Sequence, residues 1–174
     1  GAQLNNMTTP VVFDVSDTAK NIFDNADSLG EAANISASGG PALDVDQAQV
    51  IQSLPGYNAS SSFYSIDDDA ADIISATDSV LTNGNINVDV ADGDVSASDG
   101  AILNDFTADI DFSVDDNPAA VVAEVTGSNP PTDLDDAESV TLTREAVSGS
   151  ANESGLVPSG FSINGSDNLR VEYD

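Results

Sequence analysis

The chain lacks several residue types on which enzymes and nucleic-acid-binding proteins depend. Its 174 residues include no cysteine, no histidine and no tryptophan. Without cysteine and histidine there are no disulfides, no thiol chemistry, no zinc sites of the usual kind and no Ser-His or Cys-His nucleophile pairs. Lysine and arginine number 3 against 31 acidic residues, which gives a formal net charge of -28. So few cations exclude nucleic-acid binding through a basic surface and disfavour docking on anionic lipid.

Long apolar runs are also missing. No segment approaches the length of a membrane span and no signal peptide is visible, so direct membrane insertion is not expected. The strong core formers Ile, Val, Leu and Phe nevertheless make up about a quarter of the chain, above the roughly 20% at which disorder becomes the expectation. We therefore expect a folded protein with a thin core and a heavily acidic surface that needs counter-ions.

The apolar pattern repeats along the chain. Residues 12–23 and 63–74 share the same order of apolar, acidic and alanine positions, and a third copy begins at Phe112. A fourth start at Phe161 departs into residues 169–173, which have the composition of a closing strand. A period of about 50 residues is typical of repeat architectures, in which each unit buries its apolar face against its neighbours.

Each copy alternates strand and helix patterns. In the first copy residues 11–16 predict a strand, Asp17 is predicted to cap a helix, two short strands follow, and Asp46 is predicted to cap a second helix. In the second copy the predicted cap is Asp68, and an Asp92-Gly93 turn separates two strands. The second helix of the first copy is predicted to turn four residues inward: Ala48, Val50, Ile51 and Leu54.

The predicted fold is an α/β, β-rich repeat. It consists of stacked strand–helix–strand–strand–helix units, solenoid-like, with a terminal capping strand. The predicted parts are an N-terminal arm at 1–10, repeat 1 at 11–61, repeat 2 at 62–108, a degenerate repeat 3 at 109–160 and a terminal capping strand or hairpin at 161–174.

Two segments carry a resemblance to a known class of protein. They are residues 15–22, Val-Ser-Asp-Thr-Ala-Lys-Asn-Ile, and residues 140–147, Val-Thr-Leu-Thr-Arg-Glu-Ala-Val. This order resembles the tandem α/β repeats of very large secreted bacterial surface proteins, which are often found with hemolysin-type calcium-binding repeats. The resemblance implies a secreted or cell-surface location and a scaffolding or adhesive role, and it implies no catalytic residues. The Gly-Gly-x-Gly-x-Asp nonapeptide of the calcium β-roll does not occur here.

Clustered carboxylates are the candidate metal ligands. Ca²⁺ takes six to eight oxygen ligands, which adjacent turn carboxylates and main-chain carbonyls can supply. The alternative is that these side chains cap helices and cover a solvated acidic face. No EF-hand spacing occurs, so calcium is the candidate cofactor without a recognised motif. The candidate ligands are Asp67, Asp68, Asp69, Asp89, Asp92 and Asp94.

Three non-enzymatic functions fit these observations. The first is a secreted structural subunit that forms or decorates a surface layer, fibre or matrix by cation-assisted self-association, because the open ends of a stack can pair with another copy. The second is a calcium-dependent adhesin module that binds a glycan or surface protein, and the third is a virion surface or tail protein. A halophilic origin is another explanation of the acidity. The residues predicted to mediate self-association are Leu4, Leu169, Val171 and Tyr173.

Paired carboxylates also occur in glycoside hydrolases. Such enzymes need a cleft with aromatic platforms, and this chain has no tryptophan and only three tyrosines. We therefore expect no enzymatic activity. From the open ends of the stack and the lack of cations, we expect a homo-oligomer or polymer that binds no nucleic acid.

Overall fold

Strands and short helices alternate along the chain. The computed structural model describes residues 12–127, 134, 136–144 and 168–173, the last of these as main chain only. The strands are β1 Asp14–Asp17, β2 Asn34–Ala37, β3 Phe63–Asp68, β4 Asn85–Val95, β5 Ile110–Asp116, β6 Ser139–Arg144 and β7 Asn168–Tyr173. The helices are α1 Ala19–Asp24, α2 Val45–Gln52, α3 Ala70–Ser75, α4 Asp78–Leu81, α5 Ala97–Asn104 and α6 Pro118–Gly127, with 3₁₀ turns at Ala26–Ser28 and Ala59–Ser61. The predicted α/β class is confirmed, and none of the described helices is both long and apolar enough to cross a bilayer.

The chain divides into two compact units. The first is Gly1–Asp89 and the second is Val90–Asp174, with β4 running across the boundary. The five-part division drawn from the repeat remains a prediction.

The strands of the first unit run parallel. β1 pairs with β2 from Asp14 opposite Asn34 to Asp17 opposite Ala37. Three single parallel bridges join β2 and the residues after it to β3 and the loop before it. They pair Ile35 with Tyr57, Ser38 with Phe63 and Leu43 with Ile66. Parallel neighbours need a crossover connection, and the short helices between the strands supply it.

Buried side chains alternate with more exposed ones along β3, and the buried side chains of α2 recur at helical spacing. Tyr64 and Ile66 of β3 are buried, as are Val45, Ala48 and Ile51 of α2. Val50 was predicted to point inward, and this prediction is wrong, because Val50 is 40% exposed.

Gly56 allows a close approach of two chain segments in the first unit. A Cβ at this position would lie 2.4 Å from the main-chain oxygen of Ala32. The amide of Ile35 donates to the carbonyl of Gly56 at 2.7 Å, which joins β2 to the loop that follows α2. No other residue type fits here without moving the main chain.

In the second unit β5, β6 and β7 pair side by side in parallel, as part of a five-stranded sheet with the order β3-β4-β5-β6-β7. β6 lies between β5 and β7, with Val114 opposite Val140 and Leu142 opposite Val171. The strand predicted at 169–173 is therefore present. Helix α5 packs on β5 through Gly100, whose missing side chain leaves room for Val114, because a Cβ would lie 2.8 Å from its Cγ2 atom.

Four helices begin next to a polar side chain that caps them. Thr18, Asp44, Asp69 and Ser96 are the N-caps of α1, α2, α3 and α5, and each accepts the N–H of the third helical residue. The predicted caps Asp17, Asp46 and Asp68 are therefore wrong by one or two residues. Neighbouring aspartates and threonines make equally good caps by type, so the dihedral angles of the chain decide between them.

Candidate cation site

A shallow acidic pocket lies in the first unit, between the start of α2 and helix α3. Its volume is about 310 Å³. Asp44 and Asp46 line it from the start of α2, and Asp68 and Asp72 line it from the end of β3 and from α3. The remaining lining residues are Val45, Gln49, Ser75, Ala76, Thr77 and Val80.

The helix caps bring these carboxylates together. Asp44 accepts the N–H of Gln47 at 2.7 Å, and Asp69 accepts the N–H of Asp72 at 2.9 Å. Each cap needs an acceptor just before its helix, so α2 and α3 both begin with acidic residues. Because the two helices start on the same side of parallel strands, their acidic ends face one pocket.

Asp68 uses both of its carboxylate oxygens in this arrangement. Its Oδ1 accepts the N–H of Asp69 at 2.9 Å, and its Oδ2 accepts the N–H of Val45 at 2.9 Å. Two main-chain donors therefore fix the position of Asp68 at the edge of the pocket.

Three carboxylates in this group are close enough to hold one metal ion. Oxygens of Asp68, Asp69 and Asp72 all lie within 4.8 Å of one another. The pKa of Asp72 is raised above its ordinary value of 3.8, chiefly by the charge of Asp69, then by Asp68 and by partial desolvation, with smaller contributions from Asp46 and Asp44. Carboxylate oxygens are the ligand type of hard divalent cations such as Ca²⁺, and a cation held here would relieve this repulsion.

The structure places the other predicted ligands elsewhere. Asp67 is an exposed residue of β3, and Asp89, Asp92 and Asp94 lie on β4. The predicted Asp92-Gly93 turn is wrong, because β4 continues through it with Gly93 at φ 79°, the kind of backbone that occurs at a β-bulge. Within the described residues, the triad of Asp68, Asp69 and Asp72 is the acidic group found at metal-binding spacing.

Asp72 was missed from the sequence. It follows Asp69 by three residues, and residues at that spacing are neighbours on a helix surface. Once a helix starts after Asp69, this spacing identifies Asp72 as a third carboxylate on the side of the pocket.

A polar network near this pocket involves a buried tyrosine. The side-chain amide of Gln52 donates to the Tyr64 hydroxyl at 2.8 Å and to the Val80 carbonyl at 2.9 Å. Tyr57 donates to the carbonyl of Asn83 at 2.8 Å, and the amide of Asn83 donates to Gln52 at 3.2 Å. Burial raises the pKa of Tyr64, so its hydroxyl stays protonated, and the network ties α2 to β3 and to the chain before β4.

The residues predicted to mediate self-association fall at the ends of the chain. Leu4 lies outside the described residues. Leu169, Val171 and Tyr173 belong to β7, whose described partner is β6. At the other end, β1 has β2 as its partner among the described residues.

Comparison with known proteins finds no relative of this chain. No family model, no curated protein and no solved structure matches it.

Proposed function

We propose that this chain is a non-enzymatic structural subunit of a secreted or surface assembly. In this proposal its strand–helix turns form a solenoid, copies associate head to tail through their terminal strands, and divalent cations assist. The resemblance of residues 15–22 and 140–147 to tandem repeats of secreted surface proteins supports the location.

The spacing of the helix caps supports the solenoid. Thr18, Asp44, Asp69 and Ser96 come about 25 residues apart, and solenoids with one strand and one helix per turn have repeats of 20–29 residues. On this view each predicted 50-residue unit contains two turns.

Strand edges that have no partner among the described residues are the observation that carries the self-association. Within the described residues, β1 pairs on one side with β2 and β7 pairs on one side with β6. An edge strand offers main-chain donors and acceptors to another chain. A parallel β7-to-β1 contact between two copies continues the pairing used inside each copy, and a head-to-tail contact of this kind builds a filament.

The direction of the β1 edge can be read from its hydrogen bonds. The carbonyls of Phe13 and Asp17 accept the N–H groups of Ala33 and Ser38, so they point toward the β2 side. Main-chain groups alternate along a strand, so those of Asp14 and Ser16 point to the open edge.

Proline at Ser16 tests the proposal because it removes one outward N–H. We expect the native chain to form oligomers or filaments in calcium, seen by analytical ultracentrifugation and electron microscopy, and to dissociate in chelator. Ser16→Pro should stay monomeric, while Ser16→Ala, which keeps the N–H, should assemble like the native chain. Circular dichroism checks that each variant is folded, and Asp14→Pro provides a second blocked edge. A native chain that stays monomeric in calcium and in high salt contradicts the proposal.

The acidic triad favours one alternative, a calcium-dependent adhesin module. Such a module binds a glycan or surface protein as a monomer in calcium. Binding of the monomer to cells or glycan arrays, abolished by chelator, would support this alternative.

A further inference from the structure

Two aspartates occupy the same position at the end of a strand, one in each unit. Asp68 is the last residue of β3 and Asp116 is the last residue of β5. Each is followed directly by a residue whose side chain accepts helical N–H groups, Asp69 before α3 and Asn117 before α6.

Both aspartates make the same pair of hydrogen bonds. One oxygen accepts the N–H of the next residue, at 2.9 Å for Asp68 and 2.7 Å for Asp116. The other oxygen accepts the first N–H of an earlier helix. Asp68 accepts from Val45 of α2 at 2.9 Å, and Asp116 accepts from Ala97 of α5 at 3.1 Å.

The N-caps explain why this first N–H needs a distant acceptor. The first N–H groups of a helix have no partner inside the helix. Asp44 and Ser96 accept from the third residue of their helices, Gln47 and Asp99, which leaves the first N–H to another group. Helix α6 begins instead with Pro118, which has no N–H to satisfy.

We infer that Asp68 and Asp116 are positioning residues that lock the starts of α2 and α5 to the end of the strand that follows each of these helices. Each carboxylate holds two main-chain donors at once, one from its own turn and one from an earlier helix. This device fixes the register between turns, and it operates whether or not the chain assembles.

Asparagine at these positions provides a nearly isosteric test. Asn keeps one acceptor oxygen but turns an NH₂ group toward the second N–H donor, so one of the two bonds is lost. Asp67→Asn in β3 and Asp111→Asn in β5 remove the same charge from the same strands and serve as matched controls.

Amide hydrogen exchange by NMR measures the effect at single residues. In Asp68→Asn we expect exchange to accelerate about tenfold or more at Val45 or Asp69, whichever N–H faces the new NH₂ group, with Ala97 unchanged. In Asp116→Asn we expect the same at Ala97 or Asn117, with Val45 unchanged. The controls should leave these amides as in the native protein. Equal acceleration in the controls, or native amides of Val45 and Ala97 that exchange without protection, would overturn the inference. The native measurement decides the matter even where a variant does not fold.

Discussion

Asp17 and Asp72 are both exposed aspartates beside a helix start, yet their surroundings act on them in opposite ways. Asp17 Oδ1 accepts the side-chain amide of Asn21 and the N–H of Thr18, each at 2.8 Å, and these bonds, chiefly the one from Asn21, hold its pKa below 3.8. Asp72 faces Asp69 and Asp68, whose charges raise its pKa above 3.8. The difference shows that acidity stabilises this fold where donors are supplied and opposes it where carboxylates crowd.

We expect the largest change in stability from calcium, which should act at the triad that includes Asp72. A cation bound to the native triad but not to the unfolded chain stabilises the fold by about 2.7 kcal/mol at a free concentration 100 times Kd. Thermal unfolding in calcium, against sodium chloride at equal ionic strength, measures this. The double variant Asp69→Ser with Asp72→Asn keeps a capping oxygen and removes two ligands, so it should lose the specific shift.

Asp27→Asn is the control for the calcium experiment. It removes one exposed acidic group from the 3₁₀ turn Ala26–Ser28, whose residues do not line the acidic pocket. It should keep the native calcium shift. A shift of the same size in the double variant would mean that calcium acts only as a general counter-ion.

Loss of the cap of α1, in the region of Asp17, should lower the free energy of unfolding by an intermediate amount. Thr18 Oγ1 accepts the N–H of Asn21, and Thr18→Ala removes that acceptor. We expect a loss of about 1 kcal/mol in the free energy of unfolding, measured by denaturant titration, with Thr18→Ser close to native. A neutral Thr18→Ala would show that the two hydrogen bonds to Asp17, from the main-chain N–H of residue 18 and the side chain of Asn21, organise this helix start without the cap.

The smallest effects are the pH-dependent changes in Tm caused by Asp72→Asn and Asp17→Asn, which we expect to have opposite signs. A raised pKa means that ionised Asp72 disfavours the folded state, so Asp72→Asn should raise Tm at neutral pH, and the gain should vanish as pH falls through the raised pKa toward 3.8. A lowered pKa means that ionised Asp17 favours the folded state. Asp17→Asn should therefore lower Tm above pH 3.8, and the loss should vanish as pH falls through the lowered pKa.

Salt provides the check on this pair. The Asp72 effect arises between exposed charges, so calorimetry at 1 M salt, where the Debye length is about 3 Å, should show a much smaller gain for Asp72→Asn. The Asp17 effect comes from direct hydrogen bonds to neutral donors, so the loss in Asp17→Asn should change less. Tm changes of the same sign in the two variants would contradict the comparison.

Much of the local structure was predictable, and the errors have a common cause. Period-two patterns identified the strand at β3, and an acidic residue before an apolar face identified the start of α3. Asp68 was predicted as the cap where Asp69 is the cap, because neighbouring aspartates differ only in dihedral angle. Val50 was placed inside because it is apolar, but the buried face of α2 consists of Val45, Ala48 and Ile51, which leaves Val50 outside.

The sequence by itself determined the charge, the excluded chemistries, the α/β class and the need for helix caps, because these depend on residue type and on neighbours a few positions apart. The tertiary structure decided which carboxylates meet. The bond from Val45 to Asp68 joins residues 23 apart, and that from Ala97 to Asp116 joins residues 19 apart. No local pattern encodes such contacts, since they exist only when parallel strands bring the start of one helix beside the end of the next strand.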